Sequence, residues 1–199
     1  MKSTVLYIHG RNGNADEAET YKSMFTGYNV AGLDYKAEMP WQARTEFPKA
    51  YDTLCANSDE VILIANSIGA YFTMHSLSEK LINRAFFISP IVDMERLILD
   101  MMKWAGVSER ELEEYGEIET HFGETLSWEY LCYVRKNPIN WHVPTEILFG
   151  ENDKLTSLDT VTNFAGRIGA GLTVMNGGEH WFHTDEQMNF LRKWLTERR

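Results

Sequence analysis

The sequence predicts an α/β fold: a three-layer α/β/α sandwich on a mostly parallel, six-stranded sheet, with a helical insertion in its second half. Three observations lead there. Six short apolar runs stand along the chain without polar alternation, as in strands buried on both faces. Amphipathic stretches at helical spacing separate them, and strands that alternate with helices build parallel sheets covered on both sides. One connection, residues 91–142, is far too long for a simple crossover and carries helical patterns of its own.

The first strand is expected at 4–8 (Thr-Val-Leu-Tyr-Ile), β-branched and aromatic, and stops at His9-Gly10. An acid-rich amphipathic helix is expected at 16–25, and a weaker apolar run at 29–33 closes at Asp34. Residues 42–55 place Ala43, Phe47, Ala50, Tyr51 and Leu54 at helical spacing. The third strand, 61–65, is continuously apolar, and a helix at 68–77 follows it directly. The fourth, 85–88, stops at Ser89-Pro90.

No core strand is expected within 91–142. There, 93–105 is amphipathic through Met94, Leu97, Ile98, Met101 and Met102. Ser108-x-x-Glu111 is a capping box that opens a second helix, and 128–136 reads as a third, ended by Asn137-Pro138. The fifth strand, 146–149, is stopped by Gly150, and the helix at 158–168 follows with Leu158, Val161, Phe164 and Ile168. The sixth, 172–175, ends at Asn176-Gly177-Gly178, and a last helix at 186–195 carries Met188, Leu191, Trp194 and Leu195 on one stripe. The reading is one domain over 1–199, with 91–142 inside it as a lid or cap, or alternatively a structural helical excursion with no gating role.

Composition narrows the function. A chain of 199 residues with 44% apolar and 24% charged residues builds a core and is not disordered. A formal net charge of −10 repels nucleic acid and anionic membranes, so neither is an expected partner. No apolar run approaches the roughly 18 residues needed to span a bilayer, and no signal-peptide pattern opens the chain, so a cytoplasmic location is expected. Cys55 and Cys132 lack metal-type spacing and read as free thiols of a reducing compartment. His75, His121 and His142 form no ligand set, and no metal or organic cofactor is expected. The expected partner is a small-molecule substrate; the oligomeric state is left open.

The chemistry concentrates at strand ends. Ala65-Asn66-Ser67-Ile68-Gly69 joins the third strand to a helix, the context of a nucleophile elbow. Such a serine sits on a strained turn, so its neighbours must be small. The competing reading is a serine that merely N-caps the helix. After the first strand, His9-Gly10-Arg11-Asn12-Gly13 forms a turn able to aim a backbone N–H at the substrate. Arg11 is the expected donor, with Asn12 its near rival, and the N–H of Ile68 is the second. Asp153 follows the fifth strand within Gly150-Glu-Asn-Asp153, where plain turn chemistry is the alternative. His180 follows the sixth strand, and His183 is its rival as base. All of these lie at the carboxyl ends of strands, where open α/β sheets hold their sites.

On these residues the chain resembles the α/β-hydrolase superfamily along nearly its whole length. Residues 9–13 match an HGxxG-like oxyanion turn, 65–69 the elbow, 150–153 the acid loop, and 178–180 loosely the late histidine loop. Ala65 stands where glycine is usual, and the chain begins at what would be the third strand of many members, so a compact six-stranded member is implied. The resemblance implies a serine hydrolase, carboxylesterase-like, with Ser67 as nucleophile, His180 as base and Asp153 as orienting acid. Asn66, Met101 and Trp128 are the expected substrate contacts; the apolar residues of the insertion suggest an apolar acyl or aryl pocket beneath it, the alternative being that they only pack its helices onto the sheet. The alternative function is a non-catalytic protein of the same fold that binds a ligand or partner.

Overall fold

The computed structural model describes residues 2–199. The first elements are β1 (Ser3–Ile8), a 3-10 turn (Ala15–Ala18) running into α1 (Glu19–Lys22), β2 (Asn29–Gly32), α2 (Pro40–Leu54), β3 (Glu60–Asn66), α3 (Ile68–Ser76) and β4 (Arg84–Ile88). The inserted elements are α4 (Met94–Ala105), α5 (Glu109–Tyr115), β5 (Glu117–Glu119), β6 (Thr125–Ser127) and α6 (Trp128–Lys136). The chain closes with β7 (Thr145–Gly150), α7 (Leu158–Ile168), β8 (Gly171–Met175) and α8 (Asp185–Arg198).

The six main strands pair in the order β2-β1-β3-β4-β7-β8, and every pairing is parallel. Alternate residues serve opposite faces of the sheet. Val5, Tyr7, Ile62, Ile64, Phe86 and Ile88 pack with Tyr21, Phe25, Leu191 and Trp194 from α1 and its flank and from α8. On the other face Phe47 of α2 and Phe72 of α3 meet edge to face at 6.2 Å. Adjacent Phe86 and Phe87 show the split directly: the first lies 5.5 Å from Trp194, the second 5.6 Å from Trp141. This is the layered sandwich expected from the continuous apolar runs.

The chain runs from β1 outward to β2, then back across β1 to β3. Connections from β1 and β3 therefore leave in opposite directions, which opens a crevice at their carboxyl ends. Pairing of Ile8 with Ala65 and of Asn66 with Ile88 brings 9–13 and 66–67 to that crevice.

One expected helix is different. Residues 16–25 form a four-residue 3-10 turn and a four-residue α-helix, followed by further tight turns. The buried residues of the segment are Ala18, Tyr21, Met24 and Phe25, and only its stretch Glu19–Lys22 is α-helical.

The chain divides into two compact units, one of Met1–Val92 with Asn140–Arg199 and one of Asp93–Ile139. Within the second, Arg135 of α6 bonds Glu95 of α4 at 2.7 Å and Glu109 of α5 through a two-pronged contact at 2.8 Å. The unit also holds the antiparallel β5–β6 hairpin, three residues a side, too short and too polar at Glu117-Ile118-Glu119 to stand out in the sequence. Cys55 and Cys132 are free thiols. Among the described residues no helix is long and apolar enough to cross a membrane.

Candidate functional site

Ser67 lies between β3 and α3 with φ 51° and ψ −122°, a conformation that a residue with a side chain adopts at a cost of about 1–3 kcal/mol. Surrounding bonds fix it there. Its N–H donates to the Ile88 carbonyl at 3.0 Å, and its own carbonyl accepts from Ala70 at 3.1 Å and Ile91 at 3.2 Å. The small neighbours are needed for space. A Cβ on Gly69 would stand 2.2 Å from the His9 carbonyl oxygen, and one on Gly10 would press on the Ser67 Cβ at 3.2 Å. Ala65 is fully buried between β1 and β4, where its methyl fits.

Although Ser67 occupies the N-cap of α3, its hydroxyl makes no capping bond. It meets His180 Nε2 at 2.8 Å instead. On the other side of the ring, Nδ1 stands 2.6 Å from Asp153 Oδ2. The Asp153 side chain is 0% exposed and that of His180 20%. The second oxygen of Asp153 accepts the N–H groups of Leu155 at 2.8 Å and Thr156 at 3.1 Å, so the buried carboxylate has a donor at both oxygens. With a proton on Nδ1 held by Asp153, Nε2 presents a lone pair to the serine hydroxyl.

The acid and histidine loops are tied to each other. Asn152 N–H donates to Gly178 O at 2.7 Å, Glu151 N–H to Met175 O at 3.0 Å, and Gly177 N–H to the Glu151 carboxylate at 2.9 Å. Gly150 permits this approach, because a Cβ there would lie 2.4 Å from Glu179 O.

His183 takes no part in this chain of contacts. Its ring stacks on Trp181 at 4.4 Å, and its Nδ1 meets the Trp181 carbonyl at 2.8 Å and Glu179 at 3.7 Å. Of the two oxyanion candidates in the turn, Arg11 and Asn12 both line the crevice cavity described below; Asn12 takes φ 61°, a left-handed position that asparagine tolerates. Ile68 is the first residue of α3, where an N–H has no partner within the helix.

A cavity of about 800 Å³ opens at Ser67, a size suited to a small-molecule ligand. Its wall is mixed. Tyr7, Asn66, Tyr21 and Glu17 are polar; Ile88, Leu155, Phe182, Met188 and Leu191 are apolar. Asn66 Nδ2 donates to the Tyr7 hydroxyl at 2.9 Å, and the Tyr7 hydroxyl donates in turn to Glu17 Oε2. Burial, with Tyr21 and Glu17 adding to it, pushes the Tyr7 phenol far above its usual range, so it remains a proton donor. Met101 of α4 and Trp128 at the start of α6, the other expected substrate contacts, are half-buried residues of the second unit.

Sequence reasoning missed the supports of the turn at residues 9–13. Tyr35 stacks on His9 at 4.2 Å and donates its hydroxyl to the His9 carbonyl at 2.8 Å. Glu17 Oε1 accepts the Asn14 N–H at 3.1 Å and completes a capping box with Asn14. Asn14-x-x-Glu17 was a legible signal for the second of these; nothing in the sequence marks Tyr35. Among the described residues no group of three or more His, Cys, Asp or Glu side chains is arranged to hold a metal ion.

No protein-family model matches the sequence, and no curated protein matches it significantly. Solved structures do match in shape. The chain is similar to Est1E from Butyrivibrio proteoclasticus at TM-score 0.75 and 15% identity, over 98% of this chain and 86% of that one. The same protein with ferulic acid bound gives 0.73 at 15% identity, over 98% and 87%. Alpha/beta hydrolase domain-containing protein 10 from mouse gives 0.75 at 15% identity, over 98% and 88%. These likenesses establish the α/β-hydrolase fold for this chain.

Proposed function

We propose that this α/β-hydrolase-fold chain is a serine hydrolase that cleaves esters, thioesters or amides of small to medium size, carboxylic esters first among them. One observation carries the reading: Ser67 Oγ, His180 and Asp153 form an unbroken hydrogen-bonded chain at 2.8 and 2.6 Å beside a ligand-sized cavity. A serine placed only to cap α3 would not need that partner.

In the proposed reaction Ser67 Oγ bonds to the substrate carbonyl carbon while its proton passes to His180 Nε2. The carbonyl electrons move to oxygen, which the N–H groups of Arg11 and Ile68 hold; losing one such donor costs roughly 10²–10³-fold in rate. Asp153 keeps the imidazole in one tautomer and balances its charge. Collapse expels the leaving group, which takes the proton from Nε2. Water then attacks the acyl-enzyme by the same route, restoring Ser67 Oγ–H and releasing the acid. Asn66 is assigned to the wall of the substrate cavity. Met101 and Trp128 are assigned to an acyl subsite that the inserted unit supplies, with that unit acting as a lid.

A fluorophosphonate probe tests the core of this. It is expected to label the wild type and not Ser67→Ala, and the same pair should differ by roughly 10⁴-fold or more in kcat on an activated ester. Because Est1E holds ferulic acid, feruloyl esters belong in the substrate panel beside simple acyl esters of graded length. Equal labelling of both proteins, or of neither, would defeat the proposal.

A further inference from the structure

The wall of the cavity at Ser67 differs from one side to the other. Strand β1 lies on one side of β3 in the sheet, and β4, β7 and β8 lie on the other. The β1 side brings polar groups, Tyr7 of the strand with Glu17 and Tyr21 beyond it. The far side brings Leu155 from the loop after β7, and Trp181 and Phe182 from the loop after β8. Phe182 is buried, but Trp181 is 72% exposed and Leu155 41%. Single apolar residues at a surface are ordinary. Two on one wall of a cavity that reaches a serine hydroxyl mark a place for an apolar part of a ligand.

The indole of Trp181 is held for such use. The His183 ring stacks on it at 4.4 Å with 18° between the planes, and His183 Nδ1 donates to the Trp181 carbonyl at 2.8 Å. A steadied aromatic ring loses little freedom when a second ring packs on it, and ring pairs gain beyond their buried area.

Chemistry assigns this wall to one half of the substrate. In the proposed reaction the bond from the carbonyl carbon to the leaving atom breaks. Its electron pair stays with the leaving atom, which takes the proton from His180 Nε2. That atom must then stand within hydrogen-bond reach of Nε2. Trp181 is the residue next to His180, and the Leu155 N–H bonds the Asp153 carboxylate at 2.8 Å. The group carried on the leaving atom therefore enters on the side of these two residues.

We infer that the leaving group of the substrate carries an aromatic ring, and that Trp181 with Leu155 forms the subsite that binds it. The inference rests on the serine-hydrolase reading and deepens it.

Two esters of one acid test it, the acid being the one best turned over in the graded acyl panel. One is the benzyl ester and the other the cyclohexylmethyl ester. Both alcohols are primary and of similar size, and only one has an aromatic ring. Both esters give the same acyl-enzyme, so their ratio in kcat/KM reports the leaving-group side alone. Wild type is expected to prefer the benzyl ester by roughly fivefold or more. That ratio should fall to about one in Trp181→Ala and be largely kept in Trp181→Phe. If the alanine variant does not fold, the free alcohols decide on wild type: benzyl alcohol should inhibit at lower concentration than cyclohexylmethanol, and equal inhibition would count against the subsite. Equal turnover of the two esters by wild type, or a preference that survives in Trp181→Ala, would overturn the inference while leaving the hydrolase reading intact. Hydrolysis of no ester in the panel would overturn both.

Discussion

Ser67 and Asp153 are each held by main-chain hydrogen bonds and His180 is held between their side chains, and this has consequences for single substitutions. Asp153 spends one oxygen on two N–H groups and the other on the imidazole, so its removal would release both a loop and a proton position. Asparagine of the same shape separates the two. It can keep the loop bonds through its carbonyl oxygen, but it offers an amide N–H to His180 and so favours the wrong tautomer. Asp153→Asn is therefore expected to lower kcat by up to about 10⁴-fold with little change in KM or in thermal midpoint. Steady-state kinetics beside a melting curve would check this. A fall in stability matched to the loss of activity would show that Asp153 mainly supports its loop.

At the scale of the element, legibility followed the strength of the local signal. Strands buried on both faces, such as 61–65, have no other reading at that length, and their ends fell within a residue or two of expectation. The Ser108 capping box opened α5 where it should. The helix expected at 16–25 is shorter and begins as a 3-10 turn, because apolar spacings of three and four look alike over two turns and only the fold decides which is used. Ser67, Asp153 and His180 were legible because each follows a strand end. Tyr35 and the paired acid and histidine loops were not, since they are contacts between segments far apart in sequence. Helix α3 shows how one element serves two ends. Its start faces the serine, while near its end His75 lies against Tyr71 at 4.5 Å. Burial, with Arg44 adding to it, lowers the His75 pKa from 6.5 to about 4. The unfolded chain thus takes up this proton below about 6.5 and the folded chain only near 4. Stability is full above the upper value and falls as pH drops through that window, by up to roughly 3 kcal/mol. The urea midpoint should fall less between neutral and acid pH for His75→Gln than for wild type; identical falls would assign the acid sensitivity elsewhere.

For the whole molecule, the division of labour between the two units is the open question that the fold makes answerable. All six strands of the main sheet, the hydrogen-bonded Ser67, His180 and Asp153, and the cavity wall come from the unit formed by Met1–Val92 and Asn140–Arg199. Both ends of the insertion are anchored by residues outside it. Ile91 N–H bonds the Ser67 carbonyl at 3.2 Å, and Trp141 packs on Phe87 while its indole N–H bonds Thr145 at 2.8 Å. Replacing Asp93–Ile139 with a flexible glycine-serine linker should therefore leave the sheet folded and Ser67 reactive toward a fluorophosphonate. Acyl-length preference is then the informative quantity. If Met101 and Trp128 supply the acyl subsite, the shortened protein labels as before but no longer discriminates among esters of graded length. An unchanged preference would remove the lid from substrate selection. Loss of labelling in a protein whose circular dichroism still shows the sheet would mean that the serine depends on residues of the insertion.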